Sequence, residues 1–138
     1  MPSTTPREAE DQHGDGRWIA MHQRFLTETR DAEPEILWLG DSLIQNLFNS
    51  RIWETSFCLM HSLNFGIAGD RTENVLWRLK NGELDNLSPK VIVVSAGQSN
   101  QGDSPEEIAE GVKEICSVIR SKQPQAFLVL LVSSSSIK

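Results

Sequence analysis

Short apolar runs that suit strands take turns along this chain with segments whose apolar positions recur at helical spacing. From Arg17 to about Arg30, Trp18, Ile19, Met21, Phe25 and Leu26 fall on one helical face, and Glu33-Pro34 ends that segment. Residues 35–40 then predict a buried strand closed by a tight turn, and 42–48 continue as a helix that buries Leu43, Ile44 and Leu47. Ile52, Trp53, Phe57, Leu59 and Met60 predict further packed chain. Residues 62–66 read as a second strand. The next helix, which Thr72 can cap and Asn81-Gly82 ends, carries Val75, Leu76 and Leu79. Residues 91–96 (Val-Ile-Val-Val-Ser-Ala) are β-branched and apolar on both faces, the pattern of a central parallel strand. Ser104-Pro105-Glu106-Glu107 is a capping box with proline at the first helical position. It opens a helix over 105–122 with Ile108, Val112, Ile115 and Ile119 in step, and Gln123-Pro124 separates it from a fourth strand over 126–132.

Strands alternating with helices define an α/β, three-layer fold with a parallel sheet, in which the strands at 35–40 and 91–96 are adjacent and central. One domain covers residues 16–132. Residues 1–15, polar and containing two prolines, are expected to form a disordered leader.

Composition narrows the function classes. A net charge of −6 with no basic run argues against a nucleic-acid partner or an anionic membrane surface. No apolar run approaches the length of a membrane span, and the N-terminus lacks the apolar core of a signal peptide, so the expected location is cytoplasmic. Cys58 and Cys116 have no CxxC spacing and no histidine cluster nearby. They read as small apolar core residues in a reducing compartment, and the sequence calls for no metal and no cofactor.

Ligands of open parallel sheets bind beyond the carboxyl ends of the strands. Three loops leave those ends: Gly40-Asp41-Ser42, Gly66-Ile67-Ala68-Gly69-Asp70 and Gly97-Gln98-Ser99-Asn100. Each pairs glycine with small polar residues, and all three are expected at one rim. Ser42 has two uses open to it. It can cap the following helix, as can Asp41, or it can act as a nucleophile beside the positive end of that helix. In the second case its own N–H and that of Gly69 can donate to a developing oxyanion, and the third loop can add a side-chain donor. Taken singly, each loop has a plainer reading as turn glycines and satisfied polar residues. A phosphate cradle is disfavoured, since neither G-x-G-x-x-G nor G-K-[ST] occurs.

Gly40-Asp41-Ser42-Leu43, then residues 64–70, then a glycine–polar–asparagine loop resemble the first three blocks of the GDSL or SGNH hydrolases. Gly16-Arg17-Trp18, the segment 75–84 and Gln123-Pro124-Gln125-Ala126 resemble more closely the catalytic (alpha) subunits of intracellular platelet-activating-factor acetylhydrolase. The resemblance covers about residues 12–131. It implies a flavodoxin-like parallel sheet, here lacking its last strand and helix, and removal of the sn-2 acetyl group from a phospholipid or of acetyl from a small ester. It also implies Ser42 as nucleophile, Asp41 as support, and an oxyanion hole of Ser42, Gly69 and either Ser99 or Asn100. The implied partners are homo- or heterodimers with family subunits and the lissencephaly WD-repeat protein.

Two departures from the family pattern bear on activity. The third block of the family reads glycine, any residue, asparagine, whereas Ser99 holds the asparagine position here and Asn100 follows it. The family's catalytic Asp and His stand in a later Asp-x-x-His block that these 138 residues do not contain, and the tail 133–138 does not resemble the family. His61 is expected at the amino edge of the sheet, too far from Ser42 to serve as base, and His13 and His22 offer no better. The expectation is an esterase by descent that is inactive as given, with a non-catalytic interaction or dimerisation subunit as the alternative.

Overall fold

The computed structural model describes residues 2–57 and 60–131. Strand β1 (Ile36–Gly40) lies at the centre of a four-stranded parallel sheet with β2 (Ser62–Gly66), β3 (Val91–Ser95) and β4 (Phe127–Leu130), in the order β2-β1-β3-β4. Gly40 is level with Gly66 on one side and with Ser95 on the other, so the three expected loops leave the sheet along one row. The sheet is parallel, with β1 and β3 adjacent and central, as the sequence pattern predicts.

Alternation along the strands divides the core in two. Leu37 and Leu39 of β1, Phe65 of β2, and Ile92 and Val94 of β3 face one side. There α1 (Arg17–Asp31), α3 (Thr72–Arg78) and α4 (Pro105–Lys122) cover them with Phe25, Val75, Leu76, Ile115 and Ile119. Trp38 and Val93 face the other side, under Ile44 of α2 (Ser42–Phe48) and Trp53 of a wide helical turn, Trp53–Phe57. Helices on both faces of a parallel sheet are what its buried strands require. The second layer is thin, and this leaves β4 the least protected strand.

Local signals place the elements well, with three corrections. Ser104 caps α4 as expected, its Oγ accepting the Glu107 N–H at 3.1 Å. Thr72, however, is the first residue of α3 rather than its cap. Arg71 takes the cap position, with its N–H donated to Asn74 Oδ1 at 3.0 Å. Asp41, not Ser42, caps α2, accepting the Leu43 N–H at 3.3 Å. The leader departs from the expected disorder. A short helical turn at Pro2–Thr4 packs on α3 and α4, and Ser3 is fully buried. Sequence reasoning missed this because the anchoring groups are single polar atoms, with no apolar run to announce them. Cys116 is half-buried with a free thiol, while Cys58, Leu59 and the tail 133–138 lie outside the described residues.

Candidate active site

The turn from β1 into α2 is built by a close approach. A Cβ at Gly40 would collide with the Ser95 carbonyl of β3 and stand 2.9 Å from the Ile44 side chain, so only glycine lets the end of β1 lie this close to β3 under α2. Asp41 then caps, and this leaves the Ser42 hydroxyl unspent at the start of α2, where helix amides lack intrahelical partners. Ser42 is half-buried, and its Oγ accepts a hydrogen bond from the Gly69 N–H at 3.2 Å. Nucleophile candidate and oxyanion donor candidate, 27 residues apart in sequence, therefore meet. Gln45 Oε1 accepts the neighbouring Ala68 N–H at 2.9 Å and holds the same loop.

Asp41 is fully buried. Burial raises its carboxyl above the ordinary range, the Leu43 N–H opposing this, and Oδ2 makes no hydrogen bond among the described residues. It supports the turn and makes no hydrogen bond with the Ser42 hydroxyl.

The third loop corrects one of the two expected donors. Asn100 is 1% exposed and its amide is spent inward: Oδ1 accepts the Thr72 N–H at 2.9 Å, while Nδ2 faces Thr72 Oγ1, Glu73, Asp103 and Ser3. An amide so engaged does not reach an oxyanion. Ser99 is half-buried and its hydroxyl makes no hydrogen bond among the described residues, so of the two it alone stays open to a substrate. Arg71 ties this loop to the second, donating to the Ser99 carbonyl at 3.2 Å and to Asp103 at 2.9 Å.

A cavity of about 640 Å³ opens beside the 67–71 loop, within the size range of small-molecule sites. Its walls are that loop, Gln45, Trp18 and Met21 of α1, and leader residues 7–13. His13 lies on this wall, so the leader histidine shares a cavity with Gly69. His22 is buried on α1 with Nδ1 2.7 Å from Glu83 and Nε2 3.1 Å from the Asn81 carbonyl. His61 sits at the opposite end of β2, its carbonyl accepting the Glu35 N–H. Among the described residues no histidine hydrogen-bonds Ser42.

Beneath the loops lies a charged cluster that the sequence reading did not single out. Arg78, 1% exposed, donates to Asp70 and Glu83, and Trp18 Nε1 donates to Asp70 at 2.7 Å. Burial pushes the Asp70 carboxyl up to about 6 against the pull of Arg78 and Trp18. A charge at helical spacing from Val75 on an otherwise apolar face was the available signal for Arg78.

No family model matches the chain. It is 45% identical over 130 residues to human platelet-activating factor acetylhydrolase IB subunit alpha1, and 48% identical over 130 residues to the human alpha2 subunit. Both matches cover 94% of this chain, and 56% and 57% of those relatives. The chain thus spans about half the length of the curated relatives it matches. A GDSL-like lipase of Bacteroides thetaiotaomicron superposes with a TM-score of 0.64 at 18% identity, over 79% of this chain and 56% of that one, which speaks to the fold alone. Among the described residues no helix is long and apolar enough to cross a membrane. With four parallel strands and this level of identity, the chain is a homologue of the platelet-activating factor acetylhydrolase IB alpha subunits, and its fold is that of the GDSL-like lipase.

Proposed function

We propose that Ser42 is the nucleophile of an acetylhydrolase-type ester site, acting on an acetylated phospholipid or a small acetyl ester, and that the 138-residue chain on its own turns such esters over slowly. The observation that carries the reading is the Gly69 N–H···Ser42 Oγ bond at 3.2 Å. It supports the reading in which a hydroxyl and an amide donor from separate loops act on one reacting carbonyl. Ser42 Oγ attacks the carbonyl carbon and, with no described side-chain base hydrogen-bonded to it, its proton passes to solvent water, which returns a proton to the leaving alcohol. The carbonyl oxygen takes up the negative charge, toward which the Gly69 and Ser42 N–H groups turn. Collapse expels the alcohol, and water releases acetate from the acyl-serine. The rest of the ester fits the cavity beside Gly69.

Slowness follows from the proton. A serine hydroxyl is a poor nucleophile without a base, and losing that base has cost about 10⁶ in kcat in a serine protease. The helix dipole at Ser42 offers about 1 kcal/mol, far short of the roughly 8 kcal/mol that factor represents. The test is acetyl-ester hydrolysis and fluorophosphonate labelling by the purified chain, with Ser42→Ala as control. Expected are turnover about 10⁴-fold or more below that of an alpha subunit and weak labelling that Ser42→Ala abolishes. Turnover equal to the alpha subunit's sinks the claim of slowness, and labelling that survives Ser42→Ala sinks the nucleophile.

A second reading, an interaction subunit pairing with a copy of itself or with an alpha subunit, draws on one observation. Phe127 and Leu130 of edge strand β4 are 70% and 43% exposed.

A further inference from the structure

Arg78 is buried at the end of α3, yet three of the four groups that accept its hydrogen bonds belong to the frame of the site. Nη2 donates to the Gly40 carbonyl at 3.0 Å, the residue before Asp41-Ser42. Nη1 donates to the Phe65 carbonyl at 2.9 Å, and Nε to Asp70 Oδ2 at 2.9 Å. Phe65 and Asp70 bracket the loop that carries Gly69. One rigid fork therefore pins the end of the nucleophile strand and both ends of the oxyanion loop. The Gly40 carbonyl also accepts the Ile67 N–H at 3.0 Å, so the two loops share that oxygen as a joint.

We propose that Arg78 is a positioning residue, setting the spacing between the Ser42 hydroxyl and the Gly69 amide through the Gly40 and Phe65 carbonyls and the Asp70 carboxylate. The proposal rests on the reading of Ser42 as nucleophile for its relevance to ester chemistry, but the geometry it claims can be measured without any turnover. A planar guanidinium is needed for the task. Nε, Nη1 and Nη2 supply donors in fixed directions to four acceptors, Glu83 Oε1 at 3.0 Å being the fourth, whereas a lysine ammonium acts as a point charge on a flexible stem. Plain support of the fold explains the contact with Glu83, which His22 also engages, but not why the remaining donors all fall on residues flanking Ser42 and Gly69.

The groups facing Asp70 are Arg78 from α3, Glu83 from the turn after it, and Trp18 from α1, with His22 behind Glu83. Protonating Asp70 weakens the far anchor of the loop while leaving both carbonyl contacts in place.

The test is by NMR on the full chain. Removing the hydroxyl with Ser42→Ala shifts the Gly69 amide resonance when the hydrogen bond is present. In an Arg78→Lys background that Ser42-dependent shift is expected to vanish, and the Ile67 amide to exchange with solvent about tenfold faster or more, with Leu39 and Val94 amides unchanged. A merely structural role would speed exchange at all these sites together. An intact Ser42-dependent shift in folded Arg78→Lys overturns the proposal. Should Arg78→Lys fail to fold, the unaltered chain decides. Its Gly69 and Ile67 resonances should move with a midpoint near the Asp70 value of about 6, and Asp70→Asn should remove that step. Loop resonances that stay still across that range overturn it as well. Fluorophosphonate labelling, scored separately, reports on the nucleophile itself.

Discussion

Asp70 ends the loop that carries Gly69 and has a side chain driven into the core against Arg78 and Trp18. Its carboxyl sits at about 6 rather than 3.8 because burial outweighs the cationic neighbour. The folded state thus binds this proton more tightly than the unfolded chain does. The resulting stabilisation is complete below about pH 4 and is lost as pH rises through about 6, on the order of 1–3 kcal/mol. Thermal unfolding at a series of pH values should show melting temperature rising as pH falls from about 7 to 5, and Asp70→Asn should flatten that rise. A melting temperature insensitive to pH over this window in the unaltered chain contradicts the assignment. Ser42 illustrates how neighbours decide a residue's use. Two residues could cap α2, and because Asp41 does so the hydroxyl of Ser42 remains for Gly69.

The crossing of α2 over the sheet depends on glycine at two strand ends. A Cβ on Gly40 meets the Ser95 carbonyl, and one on Gly66 would stand 2.4 Å from the Gln45 nitrogen. Alanine at Gly66 must lift α2, while alanine at Gly40 must push against the Ser95 carbonyl of β3 and the Ile44 side chain, and Gly40 also holds a φ of +147°. Gly40→Ala or Gly66→Ala is expected to cost about 2–4 kcal/mol, read as a fall in the urea midpoint with little change in slope. An unchanged midpoint would mean that α2 is not seated as described. At the start of α4, Ser104→Ala removes one cap and should cost about 1 kcal/mol, a useful small-effect comparison. The leader belongs to this scale too. Ser3 and Arg7 hold it to Thr72, Asp103 and Glu73, and it then forms one wall of the cavity.

For the molecule as a whole, the exposed side of the sheet is the weak point. Among the described residues β4 pairs with β3 on one side only, and Phe127 and Leu130 of that edge strand present apolar surface. Uncharged apolar edge strands recruit other chains. Sedimentation velocity over a range of concentrations should show association of the purified chain. Phe127→Lys with Leu130→Lys should shift the distribution toward monomer while leaving far-ultraviolet circular dichroism intact. A concentration-independent monomer in the unaltered chain rules out association through this edge.

By itself the sequence determined the element order, the parallel sheet with β1 and β3 at its centre, and the three loops at one rim. These follow from local periodicity, caps and breakers, which act over a few residues and can be read in order. What only the tertiary structure decided concerns atoms brought together from distant positions. The choice between Ser99 and Asn100 depended on whether an amide 28 residues from Thr72 would be drawn into the buried network at the start of α3. The leader looked disordered because its anchors are isolated polar atoms, and their partners at Thr72, Glu73 and Asp103 become partners only once α3 and α4 are packed. Arg78 read as an ordinary helix residue. Its meaning comes from four acceptors on β1, β2, the second loop and the turn after α3, and no pattern of spacing along the chain encodes that convergence.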